Sequence, residues 1–165
     1  GGGGTYSHAV LRRFGQARGL IIDRPDAEPT VLALAQERGF AGRLGFAAID
    51  FVHDALPSGN DVAILSNIVH CYGVSTNRAL VGRVADCLAP GGVVAIKDYS
   101  VAADHSGPAG ALRFAASMAV NSDQGSVYSA QEVSGWCREA GLVVVETHEM
   151  VQSKGSYTVI AMRRT

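Results

Sequence analysis

Three groups of residues in this chain have types and spacings that fit chemistry. The first is His70, which follows Val62-Ala63-Ile64-Leu65-Ser66-Asn67. A short apolar run bounded by polar residues predicts a strand buried on both faces. Open α/β sheets bind ligands just past the carboxyl ends of such strands. An imidazole about one helical turn beyond Ser66 can move a proton there; alternatively it caps or packs a helix start. The second group is Gly1-Gly2-Gly3-Gly4 with Asp23. Glycines let a backbone turn tightly and approach a ligand closely. A carboxylate ending the run Gly19-Leu20-Ile21-Ile22-Asp23, about 20 residues past such a loop, is placed to accept bonds from ribose hydroxyls. Alternatively Asp23 opens the turn Asp23-Arg24-Pro25, and the four glycines are a flexible linker. The third group is Asp50-Phe51, an acceptor beside an aromatic, which could hold an adenine by its amino group and ring face. The other reading makes Phe51 core and Asp50 the start of a loop.

The elements that must position these groups follow from periodicity. Val10, Leu11 and Phe14 are at helical spacing, so the glycine loop feeds a helix whose N-terminus offers free N–H groups. Leu20 to Ile22 predicts a strand. Pro29 opens a helix with Val31, Leu34 and Ala35 on its stripe, and Gly39 ends it. Leu44 to Ile49 is the next strand, followed by Val62 to Leu65. Ser75 is the predicted cap of a helix carrying Leu80, Val81, Val84, Ala85 and Leu88. Ala89-Pro90-Gly91-Gly92 breaks that helix, and Val93 to Ile96 is a buried strand ending at Lys97-Asp98-Tyr99. Phe114, Met118 and Val120 mark a mostly apolar helix. Ser129-Ala130-Gln131-Glu132 fits a capping box, with Val133, Trp136, Cys137 and Ala140 as the stripe behind it. Leu142 to Val145 and Tyr157 to Met162 are the last strands. About ten residues separate them, too few for a parallel crossover with its own helix, so they should pair antiparallel. The alternation predicts an α/β sheet with helices on both faces. Leu20–Ile22, Val62–Leu65 and Val93–Ile96 are expected as parallel neighbours or near neighbours.

The 165 residues fit one domain, and 47% of them are apolar, enough for a packed core. A net charge of −1 without a run of one sign gives no footprint for nucleic acid or an anionic membrane. Cys71, Cys87 and Cys137 are odd in number and form no C-x-x-C. They read as thiols of a reducing compartment and as packing groups rather than metal ligands, which points to a cytoplasmic protein.

The chain resembles the catalytic domain of S-adenosylmethionine-dependent O-methyltransferases, and is most similar to bacterial relatives of the plant caffeate and acetylserotonin enzymes. The residues that carry the resemblance begin with Gly1-Gly2-Gly3-Gly4-Thr5-Tyr6, Asp23-Arg24-Pro25 and Asp50-Phe51. They continue with Leu65-Ser66-Asn67-Ile68-Val69-His70-Cys71-Tyr72-Gly73, Leu88-Ala89-Pro90-Gly91-Gly92 and Asp98. The resemblance implies a Rossmann-like class I methyltransferase sandwich, a mostly parallel sheet with an antiparallel C-terminal strand. It implies that Gly1, Gly2 and Gly4 line the methionine end of the cofactor, that Asp23 holds the ribose, Asp50 and Phe51 the adenine, and Ser66 the cofactor's flank. His70 stands where the family has its general base and Asp98 where it has the supporting carboxylate. Phe114, Met118 and Asn121 fall on the segment that lines the acceptor pocket.

Four departures qualify this picture. The strand before the glycine loop, with its acidic residue, is absent, and so is the family's N-terminal dimerisation domain. The expectation is therefore a fragment lacking the first strand, from a protein that forms a homodimer through the absent domain. Val127 stands where the plant enzymes carry a second glutamate against the histidine. Ser66-Asn67 replaces an aromatic or basic pair. The implied reaction is methylation of a hydroxyl on a small aromatic molecule. Two alternatives remain at this level: a non-catalytic remnant of the fold, and a nucleotide-dependent oxidoreductase, since Gly2-x-Gly4-x-x-Ser7 with Asp23 nearly completes a dinucleotide fingerprint.

Overall fold

A computed structural model describes residues 1–150 and 155–165. They form two compact units, Gly1–Leu56 and Pro57–Thr165. No helix among the described residues is long and apolar enough to cross a membrane.

In the first unit, helix α1 (Thr5–Arg13) leads to strand β1 (Gly19–Asp23), a 3-10 turn at Pro25–Ala27, helix α2 (Glu28–Glu37) and strand β2 (Leu44–Ala48). β1 and β2 are parallel, with Ile21 opposite Phe46 and Asp23 opposite Ala48. Leu11, Ile21, Val31, Ala35, Phe40 and Leu44 make one buried cluster. The Leu20–Ile22 strand thus pairs with β2 and belongs to a separate sheet from Val62–Leu65 and Val93–Ile96. Arg43 closes the far end of α1: its guanidinium donates to the carbonyls of Leu11, Phe14, Gly15 and Ala17, groups that a helix end leaves without partners.

In the second unit, strand β3 (Asn60–Ser66) is followed by a 3-10 turn at Val69–Cys71, helix α3 (Val74–Cys87) and strand β4 (Leu88–Tyr99). Helices α4 (Ala109–Asn121) and α5 (Ala130–Glu139) precede strands β5 (Leu142–Met150) and β6 (Ser156–Arg163). The sheet order is β3-β4-β6-β5. β3 and β4 are parallel, whereas β6 runs antiparallel to both of its neighbours, as the short last connection requires. The predicted capping box forms in full, with Ser129 and Glu132 satisfying each other's backbone N–H.

Four local expectations are corrected. Val62 and Ile64, expected to be buried, are 50% and 38% exposed, because β3 ends its sheet and these two residues share one face by the strand's period of two. Gly73, not Ser75, occupies the cap of α3, with the Asn77 N–H bonded to the Gly73 carbonyl. Val120 is almost fully exposed; it lies off the side of α4 that carries the buried Ala111. Ala89 to Gly92 does not separate helix from strand but lies inside β4, as an irregularity between the pairs Asn60–Leu88 and Val62–Val93.

That irregularity needs a glycine. A Cβ on Gly92 would sit 2.8 Å from the Asn60 carbonyl oxygen and 2.9 Å from that of Ala89, both backbone atoms. Gly92→Ala should therefore destabilise the protein by about 1–3 kcal/mol. Gly82→Ala, inside α3 with nothing within 4 Å of the new carbon, should instead stabilise by about 0.5–1 kcal/mol. Denaturant midpoints that move in the same direction for both would contradict this account.

Candidate active site

β4 alternates, with Val94, Ile96 and Asp98 on its buried face. Period-two geometry therefore takes Asp98 inward at the strand's carboxyl end. The register of β3 and β4 sets Ser66 opposite Lys97, and the Asn67 N–H donates to the Lys97 carbonyl at 2.9 Å. The turn that follows β3 consequently lies beside Asp98. His70 Nδ1 is 2.7 Å from Asp98 Oδ1, and the His70 backbone N–H donates to Oδ2 at 3.3 Å. The Tyr99 N–H donates to Oδ1 at 2.8 Å. Asp98 is only 1% exposed at its side chain and His70 13%. A carboxylate this buried holds its charge only against donors. The contact thus selects the imidazole tautomer with hydrogen on Nδ1 and leaves Nε2 as an acceptor.

Around the imidazole stand aromatic rings. Phe114 meets His70 edge-on with centroids 5.0 Å apart, Tyr99 does so at 5.9 Å, and Tyr99 and Phe114 touch each other at 4.1 Å. Val127 is buried with Val101 and Ala111 behind these two rings. The structure thus brings His70, Asp98 and Phe114 together. It adds Tyr99, which the sequence reading passed over. The available signal was position: an aromatic on the last residue of a buried strand, next to the acid. Met118 is half-buried one turn beyond Phe114 on α4. Asn121 is exposed, and its amide donates to the Ser117 carbonyl of its own helix at 2.8 Å. Ser66 lies at the end of β3 with its hydroxyl buried and without a hydrogen-bond partner among the described residues.

The first unit holds the remaining residues singled out above. Gly2 and Gly4 have φ of 50° and 70°, a region that favours glycine. Asp23 Oδ2 accepts from the Gly1 nitrogen at 3.0 Å and the Gly2 N–H at 2.8 Å, and Oδ1 accepts from the Arg24 N–H at 2.8 Å. The glycine loop and the acid at the end of β1 are therefore in contact. Asp50 is exposed; its carboxylate accepts from the Val52 N–H and bonds His53 Nδ1. Those bonds, the histidine's first, hold its carboxyl below the usual range. Phe51 is half-buried. Within this unit, a loop of backbone N–H groups with a pinned carboxylate offers donor and acceptor types that fit a nucleoside-bearing group.

The O-methyltransferase domain family matches residues 1–143. A 3-hydroxy-5-methyl-1-naphthoate 3-O-methyltransferase from Streptomyces sahachiroi is 36% identical over 165 residues, covering 98% of this chain and 46% of that protein. An O-methyltransferase family 2 protein from Planctomyces limnophilus, solved in complex with apigenin, matches with a TM-score of 0.90 at 29% identity, over 99% of this chain and 48% of that one. Human N-acetylserotonin methyltransferase, solved in complex with SAM, matches with a TM-score of 0.81 at 20% identity, over 100% of this chain and 46% of that one. That last likeness shows the fold alone. The chain spans less than half the length of these relatives.

The bonds to Asp23 have a pH signature. Burial pushes its carboxyl up, but the Gly2 and Arg24 N–H groups and the Gly1 nitrogen outweigh burial and bring it from 3.8 to about 2. A carboxyl that binds its proton less tightly when folded contributes stability that is complete above the unfolded value and is lost as pH falls through the folded one. The contribution of Asp23 should therefore be complete above about pH 4 and gone below about pH 2. Unfolding free energies measured across that window should show a steeper acid loss in the wild type than in Asp23→Asn. Equal slopes would remove Asp23 from the linkage.

Proposed function

The chain belongs to the O-methyltransferase domain family and has its class I methyltransferase fold, and from that premise we propose that it methylates a hydroxyl group of a small aromatic molecule, with S-adenosylmethionine as donor. The observation that carries the reading is the buried His70–Asp98 pair at 2.7 Å beside Tyr99 and Phe114. The names of the relatives support the substrate class: one acts on a hydroxynaphthoate, and another was solved with apigenin. The family match supports that donor and favours it over a nicotinamide cofactor.

Gly1, Gly2 and Gly4 would hold the methionine end of the donor, Asp23 the ribose, Asp50 and Phe51 the adenine, and Ser66 one flank. When bound, S-adenosylmethionine supplies an electrophilic methyl group. The protein's part is positioning and the removal of one proton. A phenol of pKa about 10 is mostly protonated near pH 7, a deficit of roughly 4 kcal/mol if it must ionise first. His70 Nε2 takes the hydroxyl proton as the oxygen attacks. Asp98 Oδ1 keeps the ring in the competent tautomer and stabilises the imidazolium that forms. Phe114 and Tyr99 present ring surface to an aromatic acceptor, with Met118 and Asn121 further along α4.

Base catalysis of this kind separates binding from chemistry. His70→Ala should leave S-adenosylhomocysteine affinity intact and lower turnover of the probe 3-hydroxy-5-methyl-1-naphthoate by about 10²–10⁴. Part of that loss should return as pH rises toward the acceptor's own pKa, and Asp98→Asn should cost less. Asp23→Ala should instead weaken S-adenosylhomocysteine binding by about 1.5–3 kcal/mol. Near-normal turnover by His70→Ala at neutral pH would sink the base assignment, and unchanged calorimetric affinity in Asp23→Ala would remove that carboxylate from the donor site.

A further inference from the structure

The turn that carries His70 is held by its backbone carbonyls. Asn77, on the first turn of α3, is 0% exposed. Its Nδ2 donates to the Val69 carbonyl at 2.8 Å and to the Tyr72 carbonyl at 2.9 Å. The two N–H groups of one amide therefore grip the residues on either side of His70-Cys71. The Tyr128 hydroxyl donates to the same Tyr72 carbonyl at 2.7 Å, and the Ser126 N–H takes the His70 carbonyl at 3.0 Å. Three carbonyls of one short turn are thus fixed, and the donors come from two elements that the turn does not belong to.

The amide's own oxygen shows what the residue is for. Asn77 Oδ1 is buried with no hydrogen-bond partner among the described residues. A buried acceptor left unpaired is a cost, and it is set against the two carbonyls that the amide's N–H groups satisfy. The site uses the donors of Asn77 and leaves its acceptor idle.

We propose that Asn77, seconded by Tyr128, is a positioning residue: it fixes the Val69–Tyr72 turn so that His70 Nδ1 stays on Asp98 and Nε2 is held ready for the acceptor's hydroxyl. This rests on the reading of His70 as the base. Asn77 touches neither donor nor acceptor in this account; it acts through the histidine. A rotation of the turn would break the 2.7 Å contact of His70 with Asp98, and the ring would then sample both tautomers.

The test is the imidazole itself. Long-range 15N–1H spectra of histidine-labelled protein should show His70 as a single tautomer, hydrogen on Nδ1, in the wild type. Asn77→Leu, close in size but without donors, should give a mixture at His70 and leave His53 and His148 unchanged; Tyr128→Phe should give a smaller change of the same kind. With S-adenosylmethionine and 3-hydroxy-5-methyl-1-naphthoate, kcat should fall about 10–100-fold in Asn77→Leu, while S-adenosylhomocysteine affinity stays within twofold of wild type. A single unchanged tautomer in folded Asn77→Leu overturns the clamp. If that variant does not fold, Tyr128→Phe decides in its place, by a mixed tautomer for the proposal or an unchanged one against it. A silent His70→Ala overturns the base reading and with it any part of Asn77 in turnover, whereas the spectra judge the clamp on their own.

Discussion

The second unit is arranged around one buried charge. Asp98 ends a strand whose inward face is otherwise Val94 and Ile96, and a carboxylate in such surroundings must be matched by donors. Three are supplied: the imidazole of His70, its backbone N–H and the N–H of Tyr99. Two are backbone groups, whose positions follow from the β3–β4 register and the turn at Val69–Cys71. Satisfying the acid therefore places the histidine, and placing the histidine fixes which ring nitrogen is left to accept a proton. Removing either partner would strand the other: a lone carboxylate in an apolar layer, or an imidazole with no reason to hold one tautomer.

Asp23 solves a similar problem differently. It too ends a strand, but it is half-buried, and its donors are main-chain groups of the glycine loop and of Arg24. The Gly2 and Arg24 N–H groups and the Gly1 nitrogen bring its carboxyl down to about 2, so this acid stays charged near neutral pH and ties two chain segments together. Asp98 faces a side-chain imidazole as well as backbone N–H groups, and the proposed reaction would use that imidazole. Two aspartates at equivalent ends of strands differ in kind because of what faces them.

Much of this was legible in the chain. Apolar runs at Leu20, Leu44, Val62 and Val93 located strands, the spacing of Ser129 and Glu132 located a helix start, and the ten-residue last connection gave the antiparallel end. What local pattern could not supply was neighbourhood. The run Val62-Ala63-Ile64-Leu65 reads as wholly buried, yet one face of β3 is open, since hydrophobicity reports affinity for cover and not its presence. The cap of α3 falls on Gly73, whose carbonyl accepts the Asn77 N–H. Tyr99 was missed for a similar reason: its contact with Phe114 joins residues on β4 and α4 that no local spacing links. Pairing of His70 with Asp98 came from the resemblance; their separation in sequence offers no periodic signal.

Between Gly92 and Asp98 the chain behaves as a ruler. β3 on one side reads it in parallel and β6 on the other in antiparallel, each residue by residue, up to Lys97 opposite Ser66 and Asp98 opposite Tyr157. Substitution along this span changes packing by degrees. A change of length does not act by degrees, because the side-chain period is two: one residue lost or gained would turn the carboxylate to the opposite face and bring a neighbour of the wrong chemistry to the histidine. The length of this span is therefore held more tightly than the identity of the apolar residues between Gly92 and Asp98.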